Sequence, residues 1–290
     1  DVYKRQPSHD TLGRVLAKLD PEPLEDLFAR WMRGVATATQ QGVIAIDGKA
    51  LRRAFDKANG GTFITMVSAW STANGVVLGQ VGTAEGSNEI EAFPRLLDLL
   101  HVEGCLVTID AAGCQTGVAS KIADKGGDYL LAVRDNQPKL YEATVQAFDE
   151  LRKTKKSPGR GRRATSTETS RGREEKRTCT VLKIADDFPE AARWKGLAQL
   201  VMFESERTVN GKQSRGTRFF ITSRTSLTAK QALEAVRSHW HVENKLHWTL
   251  DVAFREDDSR LRLDNAAENF TVVRHLCLLY TSPSPRDKTV

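Results

Sequence analysis

The order of strands and helices along the chain constrains its fold more than any other sequence feature. An early apolar strand is followed by two strands joined at Asn74-Gly75, a dipeptide typical of tight hairpin turns. Strands and amphipathic helices then alternate, which is the pattern of β-α-β crossovers. The predicted strands are Val43–Ile46, Phe63–Trp70, Val76–Val81, Cys105–Ile109 and Tyr129–Val133, and the predicted helices are Thr11–Met32, Glu89–Leu100, Gln115–Lys125, Gln137–Leu151 and Thr228–Trp248. This order predicts an α/β fold with a mixed sheet flanked by helices.

A second, β-rich segment lies before the last helix. Three further strands are predicted there, at Thr178–Ile184, Leu197–Arg207 and Arg218–Thr222, and Asn210-Gly211 marks a turn between the last two. The segment therefore reads as an insertion into the α/β fold.

Length and composition exclude several classes of protein. The chain has 290 residues, of which 40% are hydrophobic, enough for one large domain or two ordinary ones. It has neither an apolar run of roughly 18–20 residues for a membrane span nor a signal peptide. Four Cys without a CxxC pair fit a reducing compartment and argue against a zinc module. A cytoplasmic location and no membrane partner are therefore expected.

The two ends of the chain carry an unusual relationship. Asp1–Gln6 and Cys277–Ser282 can be encoded by DNA strings that are reverse complements apart from a one-base offset. The pair resembles the end sequence of transposon-based sequencing libraries, so we hypothesise adapter read-through, with coincidence as the alternative. The underlying codons would decide between them. The predicted segments are 1–6 (read-through), 7–41 (helical lead-in), 42–152 (first part of the core), 153–226 (basic loop and β-rich insertion), 227–276 (C-terminal helices of the core) and 277–290 (read-through).

The positive charge is concentrated in one stretch. Residues 152–177 hold eleven Lys or Arg and three Glu, a net +8, whereas the whole chain carries +6. The rest of the chain therefore sums to −2. A flexible basic loop containing Arg160, Arg162 and Arg163 suits DNA, because each neutralised phosphate releases counterions. A solvated loop without a partner is the alternative interpretation.

Two apolar strands each end in an aspartate. Val-Ile-Ala-Ile leads to Asp47, and Leu-Val-Thr-Ile leads to Asp110. If the first and fourth strands are adjacent and parallel, both carboxylates emerge at the same edge of the sheet and repel each other. Mg²⁺, which takes oxygen ligands, resolves this repulsion. The alternative is that Asp47 belongs to a turn and that Asp110 caps a turn or helix.

A third carboxylate, Glu243, lies in the middle of the last predicted helix. Its neighbours at i−3 and i+4 are Trp240 and His247, so its helical face is aromatic, and a metal is one partner for such an acid. The alternative is an exposed Glu paired with Lys245 or Arg237.

These residues lie in motifs that resemble the ISAs1 family of bacterial insertion-sequence transposases, which includes the H-repeat-associated proteins and is related to IS4-type DDE transposases. The resemblance covers about residues 7–276, and full members carry a further N-terminal region. The motifs are Pro7-Ser8-His9-Asp10-Thr11, Ile46-Asp47-Gly48-Lys49, Thr108-Ile109-Asp110-Ala111 and His239-Trp240-x-Val242-Glu243-Asn244-x-Leu246-His247-Trp248-x-Leu250-Asp251-Val252-x-Phe254-x-Glu256-Asp257.

The resemblance implies an RNase H-like core with a DDE triad of Asp47, Asp110 and Glu243. These carboxylates would hold two Mg²⁺ or Mn²⁺ ions, with Asp47 bridging and the other two completing one site each. The implied reaction is cleavage of DNA at the element ends followed by strand transfer into target DNA. The expected partner is therefore DNA, with nucleoid association when bound and a homodimer as one expectation for the active complex.

The wider IS4-type signature is only partly present. It has Tyr and Arg seven and four residues before the Glu and Lys seven after it, where this chain has Val236, His239 and Leu250. DNA contacts are accordingly expected from a set of basic and aromatic residues, with solvated cations and core packing of the Trp side chains as the alternatives. The set is Lys49, Arg160, Arg162, Arg163, Arg237, Trp240, Lys245 and Trp248.

Other clusters of metal-ligating residue types give weaker signals. His239, His241 and His247 do not converge on one helical face, which disfavours a transition-metal site. The acidic cluster Asp251, Glu256, Asp257 and Asp258 is interpreted as a helix-end loop, with assistance to a metal site as the alternative.

Two alternatives to an active transposase remain open on the sequence. One is a catalytically inactive DNA-binding remnant, and the other is an RNase H-like nuclease or resolvase on the same fold. The intact acidic triad favours the transposase over the remnant, and the basic segment with its β-rich insertion favours it over a compact nuclease.

Overall fold

The structure is a computed structural model that describes residues 6–35, 42–54, 64–83, 89–153, 161–170 and 172–281. The chain forms two compact units. The first comprises residues 1–39, 46–101 and 241–290, and the second comprises residues 40–45 and 102–240. The strand β1 (Val43–Ala50) contributes its first three residues to the second unit and its remainder to the first.

The first unit begins with two helices in place of the single broken helix predicted. These are α1 (His9–Lys18) and α2 (Pro21–Val35), which starts at the proline that interrupts the pattern. The side chain of Ser8 caps α1 by accepting from the backbone of Thr11. At the other end of α1, the side-chain amide of Asn269 donates to the carbonyls of Leu16 and Leu19 at 2.7 and 3.0 Å. A C-terminal residue thereby satisfies carbonyls that a helix end leaves unpaired.

The predicted hairpin is confirmed in the first unit. Strands β2 (Thr65–Ser71) and β3 (Val76–Gly82) pair antiparallel, and Gly75 adopts φ +68° at their turn. Every residue of β2 is buried. The strand order in this unit is β3-β2-β1, with helix α3 (Glu89–Leu99) packed on β2 and β3.

The C-terminal part of the first unit corrects the predicted long helix over Thr228–Trp248. Helix α6 (Ala229–His239), which belongs to the second unit, stops at His239, and the next helical segment, Val242–His247, is a π-helix. Two more helices follow, α7 (Trp248–Val252) and α8 (Ala266–Thr281), with the 3₁₀ turn Glu256–Asp258 between them. Helix α8 runs past residue 276, although the read-through hypothesis for the two ends stays a prediction.

The second unit contains the expected crossover. Strands β4 (Leu106–Ile109) and β5 (Asp128–Val133) pair in parallel and are connected by α4 (Thr116–Asp124). The strand order here is β1-β4-β5-β9-β8-β7-β6, so the first and fourth strands are neighbours, which the prediction from the two aspartates assumes. This part of the sheet is flanked by α6 and by α5 (Pro138–Lys153), and a side-chain capping box of Thr228 and Gln231 starts α6.

Four antiparallel strands form the β-rich insertion. They are β6 (Gly161–Ser170), β7 (Arg173–Lys183), β8 (Gln199–Val209) and β9 (Lys212–Thr222). The expectation of a flexible basic loop is therefore wrong for residues 161–170 and 173–177, which pair in a regular ladder. Thr165, Thr167 and Thr169 recur at every second position of β6, which suits a pleated strand, and the basic composition concealed this pattern.

The core of the second unit explains why the inner halves of these strands are apolar. Val181, Val201 and Phe220 pack with Leu233 and Val236 of α6. The outer halves carry charged and hydroxyl side chains instead. We call the four strands β6–β9 the β ribbon. Burial of apolar side chains therefore holds one end of the β ribbon in place, while its outer half is largely exposed.

Candidate active site

The part of β1 that carries Asp47 lies against the π-helix segment. Asp47 lies within β1, which continues to Ala50, and not after the end of the strand as the sequence predicts. The Asp47 carboxylate Oδ2 lies 3.9 Å from Nδ1 of His247, and the two side chains are only 19% and 14% exposed. Both residues belong to the first unit. Asp47 is thus a partly buried carboxylate whose neighbour is an imidazole four residues after Glu243.

Two residues further along β1, Lys49 is surrounded by three carboxylates. Its Nζ lies 2.8 Å from Asp251, 3.1 Å from Glu256 and 3.0 Å from Asp257, and its side chain is 11% exposed. Burial acts to lower the pKa of Lys49, but the neighbouring carboxylates of Asp251, Glu256 and Asp257 raise it overall. Lys49 is therefore held as a cation.

The same cluster continues to α8. Glu256 has a side chain only 1% exposed, and its second oxygen accepts from Nη1 of Arg274 at 3.2 Å. Burial lowers the pKa of Arg274, opposed by the charge of Glu256. At the edge of the cluster, Arg53 pairs with the exposed Asp258 at 3.1 Å. The acidic cluster noted in the sequence is accordingly neutralised by cations of the first unit.

Glu243 is exposed and lies in the π-helix rather than in a regular helix. The backbone N–H of Trp248 donates to the carbonyl of Glu243, a five-residue spacing that defines π geometry. Val242 and Leu246 are fully buried on the opposite side. The local widening therefore anchors the segment by its apolar residues and leaves the Glu243 carboxylate outward. Such π-turns occur frequently at functional sites.

Asp110 lies at the end of β4 in the second unit and closes its own turn. Its Oδ1 accepts from the backbone N–H groups of Ala112 and Gly113 at 3.0 and 3.4 Å. The side-chain amide of Asn136 donates to the carbonyl of Ala111 at 2.6 Å and steadies the same turn. Burial and the charge of Asp110 raise the pKa of the nearby Cys114 thiol to about 12. The turn-capping interpretation thus describes its contacts in this structure.

Sequence reasoning missed a contact between α6 and β4. Nδ1 of His239 lies 3.0 Å from the hydroxyl of Thr108, two residues before Asp110 on the same face of the strand. Burial lowers the pKa of His239, opposed by the charge of Asp110, so the imidazole is neutral at pH 7. His239 occupies the position four residues before Glu243, where the IS4-type signature has Arg. This difference is the only sequence signal that could have pointed to the contact.

The predicted DNA contacts have different surroundings. Arg162, Arg163, Lys245 and Trp248 are exposed, and Trp248 presents 61% of its surface. Trp240 is 39% exposed, and the guanidinium of Arg218 lies 4.6 Å from its ring centre.

Two of the predicted cations are bonded to carboxylates. Arg237 pairs with Glu168, and Lys49 lies in the buried cluster described above. Arg160 lies outside the described residues.

The donor chemistry of the triad suits a divalent cation, since all three residues supply carboxylate oxygens. Asp47 and Glu243 belong to the first unit, and Asp110 belongs to the second. Within the part of the chain that the structure describes, no three His, Cys, Asp or Glu side chains are grouped as a ready-made ligand set.

Comparison with known families defines the class of protein. Residues 38–280 match the family model described as "Transposase DDE domain", a range that contains Asp47, Asp110 and Glu243. The chain belongs to the DDE transposase family, and its mixed sheet flanked by helices is consistent with the RNase H-like fold of that family. The prediction of a DDE transposase and the predicted fold class are therefore confirmed.

Individual relatives of this chain also carry transposase names. The chain is 42% identical over 277 residues to "H repeat-associated putative transposase YhhI" of Escherichia coli (strain K12), a match that covers 94% of this chain and 72% of the relative. It is 41% identical over 276 residues to "Putative transposase YncI" of Escherichia coli O157:H7, covering 94% and 70%. These matches favour a transposase over the other functions considered from the sequence.

The family also sets the broad chemistry. DDE transposase domains act on DNA and generally use divalent metal ions, which makes polynucleotidyl transfer the class of reaction. None of the described helices is long and apolar enough to span a membrane.

Proposed function

We propose that this chain carries the catalytic part of a bacterial insertion-sequence transposase of the ISAs1 family. Its reaction would be cleavage of a DNA phosphodiester at the element ends, followed by strand transfer into target DNA. One observation carries the proposal. The family match spans three carboxylates that the fold presents at the end of β4, within β1 and on an exposed π-turn.

Asp47, Asp110 and Glu243 are the residues that we propose hold Mg²⁺ or Mn²⁺. When bound, such ions activate a nucleophile and stabilise the leaving oxygen in phosphoryl transfer. The protein itself contributes position and charge. The imidazole of His247 lies beside the Asp47 carboxylate, and backbone amides donate to the Asp110 carboxylate, so both side chains are held in position.

The proposed reaction has two balanced steps. Water attacks the phosphorus, the P–O3′ bond breaks, and the departing 3′ oxygen takes a proton, which leaves a 3′-hydroxyl and a 5′-phosphate. The 3′-hydroxyl then attacks a target phosphodiester, forms a new P–O bond and releases a second 3′-hydroxyl. Holding the attacking oxygen in line with the leaving oxygen is the main task of the protein.

DNA contacts are proposed on the exposed residues of both units. Arg162 and Arg163 lie on β6, the terminal strand of the sheet, where side chains are accessible to a polyanion. Lys245 and Trp248 are exposed near Glu243, where Trp248 could stack on an unpaired base. Because chromosomal DNA is the proposed substrate, we place the protein in the bacterial cytoplasm, with a homodimer as the proposed active complex.

The test is nicking and strand joining on a plasmid that carries the gene with its flanking genomic DNA. Wild-type protein with Mg²⁺ or Mn²⁺ is expected to nick at the element ends, and EDTA is expected to stop the reaction. Asp110→Asn keeps an oxygen for the turn amides but removes the charge, so activity should fall by about 10³-fold without loss of fold. Unchanged activity in this variant would remove the triad assignment.

A further inference from the structure

The strongest unassigned feature is the buried ammonium of Lys49, which joins two elements of the proposed active site. Lys49 follows Asp47 by two residues on β1, so the two side chains leave the strand on the same face. The geometry of β1 at Asp47 is thereby linked to the groups that Lys49 binds.

The partners of Lys49 all follow Glu243 in the chain. Asp251 lies in α7, and the N-cap of α7 is His247, the last residue of the π-helix. Glu256 and Asp257 lie in the 3₁₀ turn after α7. One ammonium group therefore connects the strand of Asp47 to the segment that continues directly from Glu243, entirely within the first unit.

Two of the carboxylates around Lys49 depend on its charge because their facing oxygens are buried. Oδ1 of Asp251 and Oε2 of Glu256 are buried oxygens, and Nζ of Lys49 lies within 3.1 Å of both. Removing the ammonium would leave the carboxylates without this compensating charge, and the segment would relax to rehydrate them. Such a shift propagates to the π-turn because α7 and the π-helix are continuous.

We propose that Lys49 is a positioning residue for DNA cleavage, which fixes the Glu243 segment relative to the strand of Asp47. This proposal rests on the proposed function of the triad. A direct phosphate contact by Lys49 is disfavoured by its surroundings. Three carboxylates lie within 3.1 Å of Nζ and the side chain is 11% exposed, so a phosphate would meet negative charge and little open surface.

The experiment compares Lys49→Met, which keeps the stem but removes the charge, with Lys49→Arg, which restores it. The matched control is Arg53→Met at the exposed pair with Asp258. Plasmid nicking is measured in Mn²⁺, and hydrogen exchange is followed in residues 242–252. Lys49→Met should lower the nicking rate by about 100-fold, because misplacement of reacting groups by about 1 Å has effects of this size.

Three further readouts separate positioning from general unfolding. For Lys49→Met, the DNA KM should stay within about 2-fold, and the Mn²⁺ concentration for half-maximal nicking should rise by about 10-fold. Exchange should increase in residues 242–252 but not in the strands of the second unit. Lys49→Arg should recover part of the rate, and Arg53→Met should behave as wild type.

Failure of the proposal is distinguishable from failure of the proposed function. A folded Lys49→Met protein with wild-type rate, Mn²⁺ dependence and exchange would overturn the positioning role, even if Asp47→Asn is inactive. An active Asp47→Asn protein would instead refute the triad, and the positioning role with it. If Lys49→Met does not fold, Asp251→Asn removes one partner only and must show the same shift in Mn²⁺ dependence, or the proposal is wrong.

Discussion

The two units place their charges differently. In the first unit, ionisable side chains are buried in compact clusters, such as Lys49 with Glu256 and Arg274, or Glu25, which is 2% exposed. In the second unit, the pair of Glu168 and Arg237, which are 46% and 38% exposed, lies on the outer part of the β ribbon and at the end of α6.

This difference indicates two uses of charge. Buried pairs are directional and geometrically demanding, which suits residues that hold a catalytic segment in place. Accessible pairs are weak and exchange easily with solvent or with phosphate, which suits a surface for DNA. The basic pI of the chain arises from the accessible charges of the second unit. The residues proposed to position the reaction belong to the buried clusters of the first unit.

The largest expected effect is on the buried cluster of the first unit. Glu256→Gln keeps the side-chain volume but removes the charge between Lys49 and Arg274. The free energy of unfolding should fall by about 3–5 kcal/mol, because two buried cations lose a shared partner. Urea denaturation at pH 7 measures this change.

The control lies two residues away. Asp258 is 63% exposed in its pair with Arg53, so Asp258→Asn should cost less than about 1 kcal/mol. Equal effects of the two substitutions would show that burial does not distinguish the clusters, and the contrast between the units would lose its basis.

An intermediate effect is expected from the buried carboxyl of Glu25. Its Oε1 accepts from the N–H of Gly82 at 3.1 Å, and a Cβ at that glycine would overlap the Glu268 carboxylate. Burial and the charge of Glu268 raise the pKa of Glu25 from 4.5 to about 9. Between pH 4.5 and about 9, the Glu25 carboxyl keeps its proton in the folded protein but loses it in the unfolded chain. The free energy of unfolding therefore falls as the pH rises through this range.

Glu25→Gln should flatten this pH dependence. The neutral amide resembles the protonated acid, so at pH 8 the variant should be more stable than wild type by about 1–3 kcal/mol. Urea denaturation at pH 5, 7 and 8.5 checks the slope. The exposed Glu22, which pairs with Arg95 at 3.4 Å, provides the control Glu22→Gln, with no change of slope expected. An unchanged slope in Glu25→Gln would contradict the raised pKa.

The smallest effect on stability is expected in the second unit. Glu168 is 46% exposed and bonds Arg177 and Arg237, whose hydrogen bonds and charges lower its pKa. Glu168→Gln should change the free energy of unfolding by less than about 1 kcal/mol. DNA affinity should instead rise and become more salt-dependent, since the guanidinium of Arg237, which is 38% exposed, loses its carboxylate partner and becomes available to phosphate. Fluorescence anisotropy with duplex DNA at 50 and 200 mM salt measures this, and unchanged affinity would argue against a DNA surface on this ribbon.

Local sequence signals predicted most of the fold, because they depend on neighbouring residues. The Asn74-Gly75 turn, the crossover through α4 and the capping residue Thr228 are all properties of short segments. The prediction failed at the basic segment, where charge masked a β pattern. It also failed after His239, because the choice between an α- and a π-helix depends on which residues are buried.

The sequence by itself determined the class of protein and led to the proposal of three carboxylates as its triad, since motif spacing and strand periodicity are properties of the linear chain. Only the tertiary structure decided the partners of the charges. Lys49 meets carboxylates more than 200 residues away, and His239 meets Thr108 across 131 positions. Burial gives these pairings their strength, and burial is a property of packed elements that no local pattern of residues contains.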